Sequence, residues 1–113
     1  GISYELIGDY YFPCLAPPAS PNIGKYGRMR WRYLKEHRRA IYSQLVLSDK
    51  LAGHLEEIDQ SANEMMERLI KDMAERQGVT ERLKAENQLR WVGMMNNIRS
   101  AAEEMVLNDL IYA

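Results

Sequence analysis

Five cations recur along one short stretch of the chain: Lys25, Arg28, Arg32, Lys35 and Arg39. Their steps of three and four residues place them on one side of a helix, because side chains so spaced share a face. An α-helix fits the major groove of duplex DNA, and aligned cations gain by neutralising phosphates and releasing counterions. The five are therefore candidate nucleic-acid contacts, with Trp31 and Tyr33 available to stack on bases or to pack inside. A basic stripe can equally be the solvated face of a bundle helix, or can meet an acidic helix. Such a helix exists here, since Glu56, Glu57, Asp59, Glu64 and Glu67 crowd a later segment.

Other reactive side chains form no working set. His54 and Glu57 stand three residues apart, but a metal site needs three or four converging ligands. They are expected on the surface, with no metal and no cofactor. His37 falls among apolar residues and is expected to be a hydrogen-bonded core histidine. Glu56-Glu57 and Glu103-Glu104 are sequence neighbours, which a helix points about 100° apart, so neither pair can act together as acid and base. No phosphate-binding glycine loop is present. The chain is expected to be no enzyme and to take no small-molecule substrate.

The 113 residues suit one domain, and a hydrophobic fraction of 46% with 27% charged residues is ordinary for a globular protein. The net charge of −1 hides a segregation. Residues 25–39 hold seven Lys/Arg against one acid, Glu36, whereas residues 48–79 hold eight acids against four bases. Cys14 is the single cysteine, so no intrachain disulfide can form, and a reducing cytoplasm is the expected location. No apolar run approaches the roughly 18–20 residues of a membrane span, and no signal-peptide pattern stands at the start.

These residues need elements to position them. Residues 1–13 read as a small β-hairpin turning at Gly8-Asp9. Residues 14–22 contain Pro17, Pro18 and Pro21 and read as an extended linker. Residues 23–47 are a basic amphipathic helical region, with Met29, Tyr33, His37, Ile41 and Leu45 opposite the stripe and facing the core. Arg30 alone projects to the apolar side. A buried charge must be paired, so it is expected to meet a carboxylate or backbone carbonyls, or to snorkel. Ser48 is expected to cap a long helix over 48–77, whose apolar residues run from Leu51 through Leu55, Ile58, Ala62, Met65 and Leu69 to Met73. Gly78 stops it, and Thr80 caps a second long helix over 80–111. So short a connection folds the two back on each other.

The ordered strings GRMRWRYLKEHR, LAGHLEEIDQ and DMAERQGVTERLKAENQLRWVGMMNNIRSAAEEMVLNDLIY resemble the TnpV family of small proteins encoded on bacterial transposons. The similarity runs nearly end to end, including GDYYFP, and is most specific over residues 73–112. It implies residence on a mobile element, without implying transposase chemistry or any catalytic residue. The resemblance also implies Pro or Gly near positions 39 and 40. Arg39 and Ala40 depart from that, which leaves open whether the first helix breaks before Ile41.

The expected fold is all-α: a three- or four-helix bundle dominated by a long antiparallel pair, carrying the N-terminal β-hairpin, in one domain over 1–113. The expected function is that of a non-catalytic accessory protein of a mobile element, a nucleic-acid-binding or regulatory module whose partner is DNA. The alternative is a protein-interaction or self-associating module, a homo-oligomer without DNA binding.

Overall fold

Two glycines decide how the first helix meets the rest of the molecule. The computed structural model describes residues 22–113, where α1 (Lys25–His37) lies against α3 (Leu51–Gln77). A Cβ on Gly27 would stand 2.8 Å from Ile23 Cγ2 and 3.0 Å from the Leu55 carbonyl oxygen, so only glycine permits this approach. The approach brings Asp59 of α3 to the first turn of α1, where its Oδ1 accepts the Gly27 N–H at 2.9 Å. The first N–H groups of a helix have no partner within it, and Gly24 at the N-cap offers no side chain. Asp59 thus caps α1 from a different helix, with its negative charge at the positive end of the helix dipole. Asn63 Nδ2 donates to the other carboxylate oxygen at 3.2 Å, which leaves the buried acid satisfied on both sides.

Among the described residues every regular element is helical. After α1 come α2 (Arg39–Leu47), α3, α4 (Glu81–Glu86) and α5 (Gln88–Val106), and the chain ends in a π-helical turn over Leu107–Ile111. The first helix does break, at Arg38, whose φ of −136° and ψ of 58° leave the helical region. The β-hairpin expected over 1–13 and the linker through Pro21 lie outside the described residues.

The helix ends follow local chemistry. Gly78 closes α3 at φ 71°, with its N–H on Glu75 O and the Val79 N–H on Ala74 O, and Val79 is buried beneath the turn. Thr80 Oγ1 accepts the Leu83 N–H at 3.2 Å and starts α4, as its position suggests. Ser48 does not cap α3. It ends α2, its hydroxyl donating back to Leu45 O at 3.3 Å, and the turn is made by Asp49 at φ 60°. An aspartate tolerates the left-handed region better than most residues do, and α3 then starts from Lys50 with no side-chain cap. The helix expected over 80–111 is interrupted at Asn87, whose side chain accepts the Arg90 N–H at 3.2 Å and opens α5 afresh.

The core has two parts. Ile23, Trp31, Leu34, Tyr42, Leu51 and Leu55 join α1, α2 and the start of α3. Tyr26, Ala62, Val106 and Ile111 join α1, the middle of α3 and the end of α5, with Met65, Met66 and Leu69 packed against them. Early α3 and late α5 thus both meet α1, so the two helices run antiparallel. α4 leads into α5 through Asn87, buries no residue and makes no close backbone approach to α3. The described residues form an elongated body of 58 × 24 × 23 Å.

The core-facing side of α1 differs from the expected one. The buried residues are Tyr26, Gly27, Arg30, Trp31 and Leu34, while Met29 and Tyr33 are half-buried and His37 and Ile41 are exposed. Gly27 and Arg30 belong to the inner face because one has no side chain to clash and the other finds acceptors.

Gly27→Ala is expected to lower stability by about 1–2 kcal/mol, since overpacking against a backbone carbonyl outweighs the propensity gained. Asp59→Ala leaves a helix-start N–H buried without its acceptor and should cost about 1–3 kcal/mol. Urea titration measures both, with Gln60→Ala on the exposed side of α3 as the control. If all three midpoints coincide, the cap carries no weight.

Candidate nucleic-acid interface

The stripe predicted from spacing is present, but its five members are not equivalent. Arg28, Arg32 and Arg39 are exposed and make no ion pair among the described residues. Lys25 is exposed too, yet its Nζ lies 2.8 Å from Glu103 Oε2 of α5. Lys35 is half-buried, with its ammonium 3.6 Å from the centroid of the Trp31 ring. Arg39 stands beyond the break and belongs to α2. From Lys25 to Lys35 the open face of α1 therefore spans about 15 Å, less than an unbroken helix would offer.

Glu57, Asp59, Glu64 and Glu67 of α3 do not cover this face. Asp59 is turned inward to Gly27, and Glu57, Glu64 and Glu67 are exposed without pairing to the stripe. Glu103 of α5 does pair with it. It accepts from Lys25 and, at 2.9 Å, from the Tyr26 hydroxyl, and those two donors hold its carboxyl below the ordinary range despite partial burial. Tyr26 answers in the other direction: burial, then the bond to Glu103, push its pKa up to about 12, so it remains a neutral donor.

Behind the stripe, Arg30 ties α1 to the end of the chain. Its guanidinium donates to the backbone oxygens of Ile111 at 2.9 Å and Ala113 at 3.0 Å, which is the carbonyl solution open to a buried cation. Its Nε–H points at His54 Nε2 at 3.3 Å, so that imidazole nitrogen is the acceptor and the ring is neutral. His54 is accordingly half-buried and engaged, where a surface position was expected. The signal was Arg30 itself, the one cation out of phase with the others.

The exposed side of α1 borders a surface hollow of about 340 Å³ lined by Met29, Arg32, Tyr33, Glu36, His37 and Tyr112. The Tyr33 ring centroid is 5.3 Å from those of both His37 and Tyr112. His37, expected in the core, sits on this rim with Nε2 4.0 Å from Glu36 Oε1, because the inner face of α1 is turned away from it. Trp31 packs in the core and is not available for stacking. Tyr112 could not be associated with the stripe from the sequence, as it lies near the other end of the chain.

Among the described residues no three His, Cys, Asp or Glu side chains converge as metal ligands would. None of their helices is long and apolar enough to cross a membrane. A family model described as "Transposon-encoded protein TnpV" matches residues 3–111. Comparison with curated proteins and with solved structures returns no match.

The Arg30–His54 contact has a pH signature. Burial first, then the charge of Arg30, hold the His54 pKa below 6.5, against an opposing pull from Glu57. The folded chain then binds fewer protons at this ring than the unfolded chain, so stability falls as pH drops below 6.5 and levels once the folded ring also titrates. Glu103 acts in a separate window, its contribution lost only as pH falls below 4.5. Urea melts between about pH 7.5 and about pH 5.5 should show a loss of stability that shrinks in His54→Gln, where the acceptor stays and the proton site goes. Identical pH dependence in both proteins would remove His54 from the account.

Proposed function

The chain belongs to the TnpV family of transposon-encoded proteins, and on that premise we propose that it is a non-catalytic accessory protein that binds nucleic acid through the open face of α1. The observation that carries this reading is the state of Arg28 and Arg32, exposed on one face of α1 and without an ion-pair partner among the described residues, with Arg39 likewise exposed and unpaired at the start of α2. An acidic helix drawn over the stripe would have absorbed these charges inside the fold. Guanidinium groups suit phosphate well, because each presents a planar fork of donors. Lys25 and Lys35 are secondary, since one must leave Glu103 and the other must leave the Trp31 face. DNA is the partner proposed, through backbone contacts that position without reading sequence.

No catalytic role is assigned. Of the paired carboxylates, Glu103 is tied to Lys25 and Tyr26 while Glu104 faces solvent.

A second reading rests on a different observation. Leu89 is 87% exposed and Val92, one turn further along α5, is exposed beside it. A self-associating module would cover these side chains with a second copy, and light scattering would then report a dimer that Leu89→Gln dissolves.

Three neutralised phosphates imply a log–log slope of affinity on salt near −2.7 for duplex DNA, about −0.9 per contact. Replacing Arg28 and Arg32 together by Gln should bring the slope up by about 1.8 while leaving the urea midpoint unchanged, as both side chains are exposed. If neither duplex nor single strand binds at about 50 mM salt, where electrostatic binding is strong, the nucleic-acid reading fails.

A further inference from the structure

We propose that the hollow beside the stripe is a base-stacking site, and that the nucleic acid bound along α1 is single-stranded. The inference rests on the nucleic-acid reading above and adds to it the form of the ligand. Arg32 belongs to both surfaces: it is one of the exposed, ion-unpaired guanidiniums of the stripe and it lines the hollow with Tyr33, His37 and Tyr112. A phosphate held by Arg32 therefore delivers its own base, or the next one, onto an aromatic surface. Bases in a duplex have both faces covered by their neighbours, whereas an unpaired base offers a face to any ring it meets.

The aromatic surface is built in advance. Tyr33 is half-buried, with the Arg30 guanidinium carbon 5.7 Å from its ring centroid and its hydroxyl accepting from Arg38 Nε at 3.4 Å. The rings of His37 and Tyr112 stand at 5.3 Å on either count, and Tyr112 is 44% exposed. A ring already fixed in place loses little freedom when a ligand stacks on it. Glu36 completes the lining. Its carboxylate would repel a phosphate but accepts from the N–H groups on base edges, the N3–H of thymine included, so it favours a base over a backbone in this hollow.

Anisotropy titration of a labelled oligothymidine of about 12 nucleotides, beside a duplex of equal length at the same salt, tests the proposal. The single strand is expected to bind tighter than the duplex. Tyr112→Ala should weaken single-strand binding about tenfold, leave duplex binding alone and leave the salt slope unchanged, because a stacking partner carries no counterion. Tyr33→Leu should do the same and Tyr33→Phe, which keeps the ring, should not. Tyr112 is exposed enough to be removed with the helical circular dichroism intact, so the test stands even if Tyr33→Leu unfolds. Equal binding of both forms, or a Tyr112→Ala protein that holds the single strand as tightly as the parent, overturns the base site and leaves the phosphate-binding stripe in place. Binding of neither form overturns the stripe and the base site together.

Discussion

Much of this molecule follows from one carboxylate reaching one amide. Asp59 can accept the Gly27 N–H only because α1 and α3 approach to the distance that a glycine permits, and that contact sets the phase of α1. On a helix a change of one residue turns a face by about 100°. With the phase set, Arg30 is directed inward to the carbonyls of Ile111 and Ala113, and Arg28 and Arg32 are directed outward. The same contact offsets the cost of burying an acid, since both of its oxygens are engaged. Core packing, the fastening of the last turn and the open basic face are thus three results of one geometry.

The charge pattern gains meaning in that setting. Among the described residues Arg28 and Arg32 of α1 form no ion pair with the acids of α3, and Asp59 of α3 is engaged at the amide end of α1 instead. Glu103 from α5 tethers the start of the stripe and leaves its middle to solvent. A ligand meeting the stripe would find its strongest unopposed charge at Arg28 and Arg32, one turn apart. Arg32 then leads to the aromatic hollow, so charge and stacking surface form one continuous patch.

The long helices were legible because apolar residues at steps of three and four, such as Leu55, Ile58, Ala62 and Met65, report burial directly. Gly78 and Thr80 were legible because the left-handed stop and the N-cap each demand few residue types. The inner face of α1 was not. A wheel weighted by hydrophobicity passes over Gly27 and Arg30, the two residues whose burial depends on partners elsewhere in the chain, and it accepts His37 in their stead. Ser48 misled for a related reason: a hydroxyl near a helix junction can cap the helix ahead or close the one behind, and Asp49 at positive φ decides between them. The stripe itself was readable from charge alone. The hollow was not, since Tyr112 reaches Tyr33 only after α3 and α5 have folded back.

The long body has a bearing on how the molecule moves through solution. A compact chain of about this length would have a radius of gyration of about 13 Å, and the described residues have one of 18.4 Å. A rod more than twice as long as it is wide drags more solvent and tumbles more slowly than a sphere of the same mass. A body of the described shape leaves a gel-filtration column early and has a sedimentation coefficient lower than its mass suggests. Its rotational correlation time would likewise resemble that of a larger particle. Absolute mass from scattered light is independent of that shape, and is the quantity that separates a single long molecule from a pair of short ones.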